Sequence, residues 1–168
     1  MDSWIPLIFI VLAVTLVIGP VMWLRPSKRQ VALAKLRQKA ASDGLSVRMA
    51  AIPEPEGSGT AAVYYLPWKK SSGLSLGWGL ERRSISHDLH FSGQWDWQGS
   101  ARPPQSAQPY IKEAIADMPD GYLALFANPA GLGIQWRETG GDAAYSKLLS
   151  LLRSTRSKIE PELRTSAF

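Results

Sequence analysis

The first hydrophobic run of the chain differs in kind from the rest. Trp4 to Leu24 (WIPLIFIVLAVTLVIGPVMWL) is 21 residues long and carries no charged side chain. A helix of that length, rising 1.5 Å per residue, reaches about 31 Å, the thickness of a bilayer's hydrocarbon core. A cleaved signal peptide needs a basic start, a shorter apolar run and a small-residue cleavage site. Here Met1-Asp2-Ser3 precedes the run, and Met22-Trp23-Leu24-Arg25-Pro26 ends it. The pattern predicts a single transmembrane helix over residues 4–24, with Trp4 and Trp23 at headgroup level.

After it the periodicity changes. Ser27 to Asp43 reads as a helix, with Ser27 and Gln30 spaced as a capping box and Gly44 at its end. Its apolar positions form a modest stripe (Val31, Leu33, Ala34, Leu36, Ala40, Ala41), which suits a helix lying on the membrane surface or one packing on the domain, the second being favoured because Leu and Ala without large aromatics anchor weakly at an interface. Leu45 to Ile52 alternates as a strand, and Ala61 to Leu66 is a second one, stopped by Pro67. Leu74, Leu76, Trp78 and Leu80 alternate cleanly and predict a third, whose glycines imply a bulge or a closely covered face. Ile85, Leu89 and Phe91 suggest another strand, with Trp95-Asp96-Trp97 as a strand end or an exposed aromatic loop. Pro109 opens a helix whose face is Tyr110, Ile111, Ala114, Ile115 and Met118. Tyr122–Ala127 and Leu132–Glu138 form a hairpin around Asn128-Pro129-Ala130-Gly131. Asp142 is the expected N-cap of a last helix with Tyr145, Leu148, Leu149, Leu152 and Ile159 inward. Residues from Glu160 onward read as a frayed tail.

Strands joined by short turns, with helices between the groups, predict an α+β fold: an antiparallel sheet with three helices packed against it, behind the transmembrane anchor. The expected divisions are the anchor (1–24), a basic juxtamembrane helix (25–44), the α+β domain (45–160) and a flexible tail (161–168).

Charge fixes the expected orientation. Residues 25–48 hold seven bases and one acid, while residues 49–168 hold twelve of each. Positive residues beside a membrane span stay cytoplasmic. The expectation is a single-pass protein of a bacterial inner (plasma) membrane, its N-terminus outside and residues 25–168 cytoplasmic. Arg25, Lys28, Arg29, Lys35, Arg37 and Lys39 are candidates for binding anionic lipid headgroups, each base adding about 1 kcal/mol near the surface. The folded part is neutral overall, which argues against nucleic acid as a partner. The chain has no cysteine, so disulfides, thiol nucleophiles and thiolate metal sites are excluded.

Little catalytic chemistry is visible. His87-x-x-His90, near Asp88 and Asp96, has metal-like residue types, but on a strand positions i and i+3 face opposite sides. No nucleophile elbow, phosphate loop or paired-acid constellation is present. The expectation is a non-enzyme with no cofactor, no metal and no small-molecule substrate. Seven tryptophans are many for this length. Trp95 and Trp97, beside the proline-rich 101–109 stretch with Pro103 and Pro104, make the best candidate partner surface, since tryptophan is enriched in interface hot spots. The competing reading is that these rings close the end of the sheet.

Leu24-Arg25-Pro26-Ser27-Lys28-Arg29-Gln30, followed by Leu33 to Lys39, resembles the YajC family, the small accessory subunit of the bacterial preprotein translocase. Members of that family have one N-terminal span running into Leu-Arg-Pro and a basic helix. The resemblance covers residues 5–40 and implies single-pass topology and association with a translocase. Beyond Gly44 the chain departs: the family's domain is short, with a glycine-rich turn, whereas 124 residues follow here. The functional expectation is a cytoplasmic protein-binding domain, an accessory or assembly factor of a membrane complex. The alternatives are the translocase role and a module that binds anionic lipid surfaces.

Overall fold

The computed structural model describes residues 4–23, 26–54, 57–83 and 91–164, of which 16–23 are described by their backbone alone. The chain divides into two units, Met1–Lys35 and Leu36–Phe168. The first holds α1 (Ile5–Trp23) and the start of α2 (Lys28–Ser42). The capping box at the head of α2 forms as expected. Ser27 N–H donates to Gln30 Oε1 at 2.8 Å, and Gln30 N–H donates to Ser27 Oγ at 3.2 Å.

The membrane expectation is corrected here. Among the described residues no helix is long and apolar enough to cross a membrane. The transmembrane helix is therefore withdrawn. The single-pass inner-membrane location, the outward N-terminus and the cytoplasmic placement of residues 25–168 all rested on it and go with it.

The α+β expectation for the domain holds. Six antiparallel strands, β1 (Ser46–Ala51), β2 (Thr60–Leu66), β3 (Trp78–Arg82), β4 (Trp95–Gln98), β5 (Tyr122–Asn128) and β6 (Gly131–Trp136), form one sheet in the order β1-β2-β6-β5-β3-β4. Register places Val47, Tyr64, Ile134, Leu125, Leu80 and Trp97 in one row across it. These side chains share a core with Leu36 and Ala40 of α2, Ile111 and Ile115 of α3 (Gln108–Ala116), and Tyr145, Leu148, Leu152 and Ile159 of α4 (Gly141–Glu162). A bulge between Tyr122 and Ala124 resets the alternation of β5, so that Tyr122 and Leu125 both face the helices.

Three local expectations change. Of the predicted 74–81 strand only Trp78 onward joins the sheet. Gly77 adopts φ +92, and Leu74 instead bridges Arg164 beyond α4. The N-cap of α4 is Gly140, not Asp142. Residues past Glu160 are not a frayed tail as far as they are described, because α4 runs to Glu162 and Leu163 is fully buried. The expected strand around Ile85 and Leu89 lies outside the described residues.

Candidate interaction surfaces

The basic positions of α2 separate into two groups. Lys28, Arg29 and Lys35 lie exposed in the first unit, with no ion pair among the described residues. Arg25 lies outside the described residues. Arg37 and Lys39, read from sequence as headgroup-binding, are engaged by the domain itself. The Glu138 carboxylate accepts from Arg37 Nε at 2.7 Å and from Nη2 at 2.5 Å, and it also accepts from the Tyr64 hydroxyl at 2.7 Å. That carboxylate raises the pKa of Arg37. Burial first, and then the bond to Glu138, push the Tyr64 hydroxyl far above the usual tyrosine range. Lys39 pairs with Asp142 at 3.2 Å and lies over the Tyr145 ring. The Tyr145 hydroxyl donates to Asp43 at 2.6 Å. Together these fasten the second half of α2 to the domain. They leave a shallow groove of about 550 Å³ lined by Lys39, Asp43, Tyr145, Leu149 and Arg153.

The aromatic candidates lie further in than an exposed loop would place them. Trp95 is 4% exposed. Trp97 is half-buried, with its ring centroid 4.4 Å from that of Phe91 and Trp78 edge-on at 6.1 Å. Arg82 and Arg102 lie over the two indoles. Pro103 is buried and Pro104 half-buried. These rings close the end of the sheet, the competing reading of the Trp-Asp-Trp motif.

The sheet face turned away from the helices carries a polar row. Register aligns Arg48, Val63, Gln135, Ala124, Glu81 and Asp96 across it. Gln135, fully buried, donates from Nε2 to the carbonyls of Ala50 and Ala51 at 3.1 and 2.8 Å. Those acceptors belong to β1, two strands away, so the sheet curls toward this side. Glu81 accepts from Arg83 at 2.6 Å, and that carboxylate raises the pKa of Arg83.

His87, Asp88 and His90 lie outside the described residues. Among the described residues no group of three or more His, Cys, Asp or Glu side chains could hold a metal. The acids that tie distant parts of the domain together (Glu138, Asp43 and Glu160) escaped the sequence reading because their partners are distant in the chain. Arg37 meets Glu138 across 101 positions. The sequence signal that was present is one of composition: single acids set inside otherwise apolar or tyrosine-bearing segments.

No protein-family model, curated protein or solved structure matches this chain.

Proposed function

We propose that the chain is a protein-binding module, an accessory or assembly factor that works as part of a larger complex. One observation carries this reading: over residues 4–14, at and just before the start of α1, the described apolar side chains are exposed on all sides, among them Trp4, Leu7, Phe9, Ile10, Val11 and Leu12. A helix that is hydrophobic all round is a buried helix, and an apolar surface of this extent marks an interaction site. The occupant is an apolar surface of another polypeptide. The resemblance of residues 5–40 to the YajC family supports a preprotein translocase as the complex.

In-cell crosslinking followed by purification in mild detergent tests the proposal. A stoichiometric partner crosslinked to residues 4–14 is expected. A lone monomer with no such crosslinks overturns the reading.

A second reading is supported by the exposure of Lys28, Arg29 and Lys35: the first turns of α2 bind an anionic lipid surface. The full chain should bind phosphatidylserine vesicles at low salt, and the triple alanine variant at these positions should lose most of that binding. Equal binding by the variant removes this second role.

A further inference from the structure

The two edges of the sheet are finished differently. On β3, the bond from Arg83 N–H to the Gln94 carbonyl sets the pairing parity, so Trp95 and Trp97 of β4 turn their backbone groups away from β3. Three of those four groups are occupied. Trp95 N–H donates to the Ser92 carbonyl at 3.0 Å, and its own carbonyl accepts from Phe91 N–H at 3.0 Å. Trp97 N–H donates to Asp96 Oδ1 at 2.8 Å. The β4 edge is largely closed by its own chain, as edge strands commonly are.

At β1 the bond from Ile52 N–H to the Gly59 carbonyl, 3.0 Å, sets the parity. Ser46, Arg48 and Ala50 therefore bond to β2, while Val47 and Met49 turn N–H and C=O outward. Among the described residues nothing occupies those four groups. The edge has no proline and no bulge. At its centre Met49 is 51% exposed, the most exposed large apolar side chain described in residues 36–168. Beside it Arg48 is exposed, stacked 6.0 Å over Tyr65 and without an ion pair among the described residues.

A second copy fits this edge poorly. An antiparallel pairing that uses both Val47 and Met49 sets Arg48 opposite Arg48, and like charges directly opposite are destabilising. Moving the register by two residues avoids this, but it pairs Val47 with Ala51, whose carbonyl would have to accept a second bond beside the one from Gln135. A foreign strand has no such conflict. We infer that the β1 edge docks an extended segment of another protein by strand addition, with apolar residues beside Val47 and Met49 and an acidic residue opposite Arg48. This deepens the protein-binding reading by naming where one partner segment sits.

The test uses the full chain, kept in solution with a non-ionic detergent. The probes are two labelled eight-residue peptides, one alternating valine with glutamate and one alternating valine with lysine, and anisotropy reads their binding. The glutamate peptide should bind at least tenfold more tightly than the lysine peptide. Met49→Pro removes one outward N–H and leaves the β2 ladder intact, so it should weaken binding at least tenfold with an unchanged melting curve. Should that variant fold poorly, Arg48→Glu decides, because it should reverse the peptide preference. No binding, equal binding of the two peptides, or an unchanged preference in Arg48→Glu overturns the inference. So does a dimer in light scattering that Met49→Pro dissolves, which would assign the edge to a second copy. A chain that binds the glutamate peptide but co-purifies with no partner loses the assembly-factor role alone. A chain with a partner that ignores the peptide loses only the strand-addition site.

Discussion

The Glu138 carboxylate holds the Arg37 guanidinium with both oxygens, at 2.7 and 2.5 Å, from a backbone in the left-handed region at φ 55. A side chain there costs about 1 kcal/mol relative to glycine, and the carboxylate's three bonds offset it. Glu138→Ala should destabilise the domain by about 2–3 kcal/mol, because it strands the buried Tyr64 hydroxyl and the Arg37 charge. Glu138→Gly should cost about 1 kcal/mol less, since it loses the same bonds but relieves the backbone. Urea midpoints of the two variants check this, and equal values would remove the strain from the account.

The Tyr65 ring lies against Gly133, so close that an added Cβ would overlap it. Gly133→Ala should therefore cost roughly 1–3 kcal/mol by overpacking. Adding Tyr65→Ala should recover part of that cost, because the two positions are in contact and their effects do not add. A double variant whose loss equals the sum of the single losses would contradict the contact.

Glu160 is buried and accepts the N–H groups of Lys69 and Lys70 at 3.2 and 3.0 Å, which pins the loop after β2 to the end of α4. Glu160→Ala leaves both donors unpaired and should cost about 2 kcal/mol. Trypsin should then cut after Lys69 and Lys70 markedly faster than in the parent chain, because the loop opens locally. Unchanged cleavage at those sites would show that other contacts hold the loop.

Three buried tyrosines give the domain an alkaline limit. Burial pushes Tyr122 up to about 12. Burial together with hydrogen bonds to Glu138 and Asp43 raises Tyr64 and Tyr145 further. In the unfolded chain these groups ionise near pH 10. The folded state therefore binds more protons above that pH, and stability falls as pH rises. The contribution is fully present below about pH 10 and declines above it by about 1.4 kcal/mol per pH unit for each tyrosine. Unfolding midpoints between pH 8 and 12, read alongside tyrosinate absorbance, check the slope. Phe in place of Tyr122 should flatten it.

Features written within a few residues were legible in advance. The Ser27–Gln30 box, the Gly44 helix end, the Pro109 helix start and the turn at Asn128–Gly131 all appear where the spacing places them. Features that depend on distant partners were not. The alternation at Leu74 and Leu76 is real, but Gly77 turns the chain, and Ser75 N–H finds the Leu163 carbonyl instead of the sheet. Arg37 and Lys39 looked like a free basic face because Glu138 and Asp142 lie about a hundred positions on. Trp95 and Trp97 could not be placed from a four-residue strand alone, since their burial is decided by Phe91, Trp78 and two arginines. The span expected over residues 4–24 is not shown, because among the described residues no helix is long and apolar enough to cross a membrane.

The strand order has a consequence for how the protein is made. β2 ends at Leu66, yet its inner neighbour β6 begins only at Gly131. During vectorial synthesis the β1–β2 hairpin emerges long before the strand that will cover its other side. Thr60–Leu66 (TAAVYYL) is apolar almost throughout, and until β6 arrives it presents an open, sticky edge. The nascent chain is thus most in need of a chaperone between the release of Leu66 and that of Trp136.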